Sequence, residues 1–343
     1  MKQFCIFLLL FLSVALATLA QEATNVRVQQ EAEQIIITYD LDKTANVYAY
    51  VSIEDSEQYT LLKAVVGNVG KSVQPGTNRC ITWTPLEERT EFVAQNVRFR
   101  VSAMPNVPFF WVSPTKAVIF SPGDLQYRAS TNTWRFAPHQ WEYIGKANWN
   151  ISKNYNGWID LFGWGTGNNP IKLSEDSKDY QTFVDWGVNT IGTYRPNTWR
   201  TLTYEEWTYL FQHTRWTMAR VNGILGFMLL PNDFSTPEGL SIKVLGNGKM
   251  FEDFKESDYV SNRYTTNEFT QLNAKGCVLL PCAGTRLLDW IIYGFDSDGC
   301  YWSATPFDDD CAGYLKFYST HAGIYDGAYR FNGHSVRLVK DLK

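Results

Sequence analysis

From residue 24 to residue 103 no apolar run keeps a helical period, and turn-forming residues interrupt the chain every few positions. Gln34–Tyr39, Ala45–Ile53, Tyr59–Val66, Arg79–Trp83 and Val97–Ala103 are rich in β-branched and aromatic residues, the composition of a pleated, half-buried strand. Asp40-Leu41-Asp42, Gly67-Asn68 and Pro75-Gly76 fall between them. Arg98-Phe99-Arg100-Val101 alternates strictly, so one side of that strand faces water. Short strands at even spacing predict an all-β sandwich of immunoglobulin type over residues 21–104. Two prolines in Pro105-Asn106-Val107-Pro108 then predict a stiff linker over 105–108.

The first residues address the compartment. Lys2 precedes the apolar run Phe4–Leu12, and the small residues Ala15, Ala17 and Ala20 follow. This is the pattern of a secretory signal peptide over residues 1–20, cleaved after Ala17 or Ala20. The run is shorter than the roughly 20 residues of a membrane span, and the expectation is a secreted chain (periplasmic, cell-surface or extracellular) with no direct membrane insertion. Loss of Lys2 takes the net charge from −4 to −5. Mild acidity argues against a nucleic-acid partner, which needs a basic face. Removal of Cys5 leaves Cys80, Cys277, Cys282, Cys300 and Cys311, an odd number. Cys277 and Cys282 flank a run that reads as a strand, roughly 16 Å long at about 3.3 Å per residue, too far for a bridge. In a hairpin turning through Pro306–Asp310, Cys300 faces Lys316 and Cys311 faces Thr305, so those two do not meet either. The fold is expected to stand without a disulfide framework.

Residues 109–343 hold most of the Trp and Gly. Thr203-Tyr204-Glu205-Glu206 is a capping box, and Trp207, Leu210 and Phe211 form one apolar helical stripe behind it. A second helix is expected from Thr265 or Thr266, with Phe269 and Leu272 on its apolar face and Gly276 as its stop. Asn222-Gly223 between apolar runs predicts a tight hairpin. The end of the chain reads as strands Tyr301–Thr305, Tyr314–Tyr318 and Ser335–Val339, with Leu315 and Phe317 inward and Tyr314, Lys316 and Tyr318 outward.

Six stretches carry a resemblance: Phe120-Ser121-Pro122-Gly123-Asp124-Leu125-Gln126-Tyr127; Gly157-Trp158-Ile159-Asp160-Leu161-Phe162-Gly163-Trp164-Gly165; Trp199-Arg200-Thr201-Leu202-Thr203 with Glu205-Glu206-Trp207; Leu279-Leu280-Pro281; Tyr301-Trp302-Ser303-Ala304; and Ser335-Val336-Arg337-Leu338-Val339. In order and spacing they resemble secreted proteins of the Fibrobacter succinogenes major paralogous domain type. Those look related to the C-type-lectin-like fold of formylglycine-generating enzymes and of the variable proteins of diversity-generating retroelements. The resemblance covers nearly all of 109–343 and implies an α+β C-type-lectin-like (sulfatase-modifying-factor-like) domain; the N-terminal part is similar to the immunoglobulin-like modules that often precede such domains. The enzyme branch implies an Arg-Gly-Gly-Ser-Trp segment near the end, where this chain has Tyr301-Trp302-Ser303-Ala304-Thr305. Calcium-dependent sugar binding implies Glu-Pro-Asn or Gln-Pro-Asp followed by Trp-Asn-Asp, and neither is present.

Other motifs dissolve on inspection. Gly70-Lys71-Ser72 has Val65 where a phosphate loop needs its first glycine, and Arg337 stands where a nucleophile elbow at Ser335 needs its second. Gly163-Trp164-Gly165-Thr166-Gly167 lacks the strand and helix of a dinucleotide loop. His139, His213, His321 and His334 have no metal-ligand spacing, and Asp296-Ser297-Asp298-Gly299 lacks the distal Glu of a calcium loop. No cofactor or metal is expected. Trp207 and Trp302 read as core; Trp158 and Trp164 read as packed beneath loops. Trp290, Tyr293, Asp296, Asp308, Asp309, Asp310, Tyr325 and Tyr329 fall on or beside turns and form the candidate ligand-binding set, since loop aromatics and acids supply stacking planes and acceptors. The expected function is non-catalytic adhesion to an extracellular glycan or protein. The alternatives are a formylglycine-generating-type oxidase, which requires an exposed thiol of low pKa, and a structural component of a surface assembly.

Overall fold

Alternation decides the first half of the molecule. Along Gln34–Leu41 every second residue is buried, and Ile35, Ile37 and Tyr39 meet Val47, Ala49 and Val51 in one core with Trp83 and Phe92. A computed structural model describes residues 4–6, 23–54, 56, 59–246, 248–287 and 292–342. It is rich in β-strands, with two units: Met1–Val107 with the last two residues, and Pro108–Asp341.

In the first unit one sheet has the order Ala23–Glu31, Gln34–Leu41, Gly76–Trp83, Val65–Gly67; the other has Arg98–Pro105, Ala45–Ser52, Thr60–Leu61, with Gly70–Val73 also on Ala45–Ser52. The run read as one strand, Tyr59–Val66, is two pieces in different sheets. The chain crosses between layers there, and the Glu88 carboxylate satisfies the main chain at the crossing. It accepts from the backbone N–H of Lys63 at 2.6 Å, from that of Ala64, and from Trp83 Nε1 at 2.9 Å. Ala23–Glu31 is an edge strand whose residues are mostly exposed, so it carries no apolar alternation to betray it. The last strand continues through Pro105, which pairs with Ala45; the stiff segment therefore begins inside the sheet, and the division between units falls after Val107. Of residues 1–20, read above as a signal peptide, Phe4–Ile6 pairs in parallel with Phe92–Ala94; the rest lies outside the described residues.

In the second unit both helices start as their capping boxes dictate. Thr203 and Glu206 cap Tyr204–His213, and Thr265 and Glu268 cap Thr266–Ala274. Arg215–Val221 and Ile224–Leu230 form a hairpin whose two turn residues, Asn222 and Gly223, have φ of 51° and 86°. These left-handed values suit a primed turn. This hairpin lies between Arg263–Tyr264 and Val278–Pro281 in a four-stranded sheet. A second four-stranded sheet has the order Phe251–Asp253, His321–Tyr329, Cys311–Tyr318, Asp298–Pro306. Trp207, Leu210 and Phe211 pack with Trp216, Phe227, Tyr301 and Phe317 in the core that joins the helix to both sheets. Trp134, Trp164, Trp186, Trp199 and Trp302 belong to a separate core beneath the irregular segments.

The strand expected at Ser335–Val339 is a correction. Regular pairing is confined to Val339–Leu342, beside Ala117–Phe120. Gly333, His334 and Ser335 instead bridge singly to Arg286, Phe162 and Tyr301. Three neighbours on three different segments leave no ladder. Arg337 is the charged exception in this buried run. It meets Asp124 at 3.0 Å and Gln140 and the Leu279 carbonyl at 2.9 Å, and the Tyr301 hydroxyl donates to the same Asp124 at 2.7 Å. A buried charge is costly unless paired in this way. Burial still pushes the Asp124 carboxyl up to about 6, against the opposing pull of Arg337 and Tyr301.

Candidate functional site

The sheet ending in Asp298–Pro306 has two unlike faces. Along Cys311–Tyr318 and His321–Tyr329 the inward side chains Leu315, Phe317, Ala322 and Ile324 are buried. The intervening positions project Tyr314, Lys316, Tyr318, His321 and Tyr325 outward, each half-buried. Cross-strand register puts them side by side: Tyr314 opposite Tyr325, Lys316 opposite Gly323, Tyr318 opposite His321. The next strand adds Phe251 opposite Gly323 and Asp253 opposite His321. Gly323 has to be glycine here, because a Cβ would lie 2.4 Å from Phe251 Cδ1. The ring crosses the bare backbone, 47% exposed.

The result is a continuous aromatic surface held on strands. Phe251 and Tyr325 have ring centroids 5.1 Å apart, Tyr325 and Tyr314 5.7 Å, and Tyr318 and His321 5.4 Å; Lys316 Nζ lies 5.9 Å from the Tyr318 ring. His321 links an acid to a phenol. Its Nδ1 is 2.5 Å from Asp253 Oδ1, and its Nε2 is in hydrogen-bond contact with the Tyr325 hydroxyl. With the proton on Nδ1, the imidazole donates to Asp253 and accepts from Tyr325. The phenol's proton is then committed within the protein, which leaves its oxygen as an acceptor for a ligand's hydroxyl or N–H. Burial, with Tyr318 and Asp253 nearby, raises the Tyr325 pKa, so the phenol stays protonated in this role.

Of the residues singled out from sequence, Tyr325 belongs to this surface, though in the strand His321–Tyr329 rather than in a Gly-rich connection. Tyr329 lies in the same strand, 52% exposed, stacked on Phe331 at 5.1 Å and paired with Cys311. That pairing sets it beside the Asp308–Asp310 turn. Asp308 closes the turn by accepting from the backbone N–H of Asp310 at 2.9 Å and of Cys311 at 2.6 Å, bonds that hold its carboxyl below the usual range. Ser177 Oγ donates to the Asp310 carbonyl at 3.2 Å and Gln181 Nε2 to that of Asp309 at 2.7 Å. Gln181 also lines a polar groove of about 460 Å³ with Asn168, Asn169, Lys172 and Thr182. Tyr293, 62% exposed, and Asp296, which accepts from the Tyr143 hydroxyl, lie at the other end of Asp298–Pro306. Nine extended residues separate the ends by roughly 25–30 Å, so the acids of the set do not converge. Trp290 lies outside the described residues.

A register shift between Trp302 and Pro306 separates the expected hairpin from the observed one. Cys300 does face Lys316, but Pro306 pairs with Ala312, so Cys311 does not face Thr305. Cys80, Cys277, Cys282, Cys300 and Cys311 are all free thiols. Sequence reasoning oriented Tyr314, Lys316 and Tyr318 correctly but missed Phe251, Asp253 and His321. The alternation His321-x-Gly323-x-Tyr325 was the available signal, masked by its glycines. Comparison with protein-family models, with curated proteins and with solved structures finds no match.

Proposed function

We propose that the chain is a secreted or surface-exposed binding protein, an immunoglobulin-like sandwich followed by a C-type-lectin-like domain, and that it recognises an extracellular glycan or protein without catalysis. The observation that carries this reading is the half-exposed ring surface of Phe251, Tyr314, Tyr318 and Tyr325 with the hydroxyl acceptor at Tyr325. Rings fixed on strands lose little entropy when a flat ligand covers them, and aromatic anchors dominate binding energy. The thiols favour the non-catalytic reading over the oxidase alternative. Burial pushes Cys300 up to about 12 and raises Cys277 and Cys282 above the ordinary thiol range; Cys311, the least buried of the four, is raised too. An oxidase of that kind needs the opposite shift.

The test is a glycan and surface-protein array probed with the chain lacking residues 1–20, in parallel with Tyr325→Ala. The ligand should emerge from the array, and the variant should bind it at least about tenfold more weakly while melting as the parent does, the signature of an anchor residue. Unchanged affinity in a folded Tyr325→Ala protein would move the site elsewhere, the Asn168–Thr182 groove beside Tyr329 being the next to vary.

A further inference from the structure

The aromatic surface ends, beyond Tyr314, in two buried bases, His334 and Arg286, that form no ion pair among the described residues. The Tyr314 ring lies 5.2 Å from His334, whose imidazole packs edge-on against Trp302 at 4.1 Å. The main chain fixes His334 there, exchanging hydrogen bonds with Phe162 at 2.9 and 3.0 Å. Both ring nitrogens are buried without a partner, and the residue is 3% exposed. Arg286 follows immediately behind. Its backbone pairs with Gly333 at 2.8 and 2.9 Å, and its guanidinium lies over that glycine, where a Cβ would meet Nε at 2.7 Å. Arg286 is 4% exposed, and Nε and Nη2 have no hydrogen-bond partner. Lys316, outward on the same sheet, forms no ion pair among the described residues.

Among the described residues no carboxylate pairs with Arg286 or His334. Burial brings the Arg286 guanidinium down to about 10, against a small opposing pull from the Tyr180 phenol. Burial, then Lys316 and Arg286, drive His334 down to about 3. The acids of the surface stand in the row next to Lys316, away from His334 and Arg286: Asp298 pairs with Tyr318, and Asp253 with His321. Asp326 follows Tyr325 and is exposed. A buried guanidinium with no counter-ion among the described residues and an imidazole without a partner are costly arrangements, and an anion relieves both.

The geometry points to an anionic subsite here: the aromatic surface takes an acidic sugar, its ring on Phe251 and Tyr325 and its carboxylate or sulfate on Lys316, with His334 and Arg286 behind. This rests on the binding role proposed above and names the ligand class. Both nitrogens of His334, and Nε and Nη2 of Arg286, are buried, so Lys316, half exposed, meets the anion first. Movement of the half-buried Tyr314 then opens the way to the two behind.

The experiment titrates the chain lacking residues 1–20 with an oligomer of a uronic acid and with its carboxyl-reduced, neutral counterpart. The acidic oligomer should bind at least about tenfold more tightly at low salt, a charge-assisted contact, and the margin should shrink as salt screens it. Lys316→Gln, a surface change that leaves the core intact, should bring the two affinities to within about threefold, chiefly by weakening the acidic oligomer. Tyr325→Ala should weaken both alike. Equal affinities in the parent, or a margin that survives Lys316→Gln, would overturn the anionic subsite. Neutral binding that still depends on Tyr325 would leave the sugar-binding surface standing without it. If neither oligomer binds, the acidic-sugar assignment falls, whereas a protein ligand lost on Tyr325→Ala keeps the binding role.

Discussion

The two faces of one sheet share strands and register and differ in almost everything else. Leu315, Phe317, Ala322 and Ile324 pack inward as part of the main core, with Phe317 stacked on Phe227 at 5.2 Å and on Tyr301 at 5.9 Å. On the outward face Tyr314, Tyr318 and Tyr325 keep part of each ring in water. A strand of strict period two separates the two tasks residue by residue. The inward set fixes the position of the outward set, so an aromatic surface on this sheet is more rigid than the same rings on loops.

That contrast can be broken in a definite order. The largest effect should come from the inner face: Phe317→Ala removes a fully buried ring and should cost about 3–5 kcal/mol in chemical denaturation. A loss near 1 kcal/mol would mean that the inner face is not the anchor. The second effect separates the faces by pH. His334 lies under the outer face with its pKa lowered to about 3 by burial and by Lys316 and Arg286, against roughly 6.5 in an unfolded chain. Its contribution to stability is complete above about 6.5 and is lost as pH falls from there through about 3. His334→Leu should therefore gain on the parent as the solution is acidified over that window; Asp124 and Asp160, raised by their own burial, are common to both proteins and cancel. A stability difference independent of pH would show that His334 is not held neutral. The smallest effect belongs to the outer face: Tyr318→Ala should change stability by no more than about 1 kcal/mol.

What the sequence exposed and what it hid follow from the range of the interactions. Local chemistry was legible: the capping boxes at Thr203 and Thr265, the turn at Asn222-Gly223 and the inward stripe of Leu315 and Phe317 all depend on neighbours a few residues apart. Tyr325 and Tyr329 were read as loop residues because Gly323 and Gly327 punctuate their strand. The need for Gly323 comes from Phe251, more than 70 positions earlier in the chain. Ser335–Leu338 looks like a strand by composition, and tertiary packing made it an irregular buried run whose charge, Arg337, is satisfied by Asp124. The aromatic surface was half visible for the same reason: Phe251 and His321 join it through pairings that no local pattern encodes. The Asp308–Asp310 turn was placed correctly as a turn, but its separation from Asp296 follows from the length of the strand between them.

The pairing of Ala117–Phe120 with Val339–Leu342 sets the timing of folding. The second unit's earliest long strand waits for the last residues of the chain; the backbone of Ser121 also donates to the Leu338 carbonyl at 2.8 Å and that of Leu125 to the Val336 carbonyl at 2.9 Å. A chain that emerges from its N-terminus cannot complete this sheet until residues 336–342 are free, because contacts so far apart in sequence form only after a long loop has closed. The second unit therefore stays unfinished until residues 336–342 have joined it.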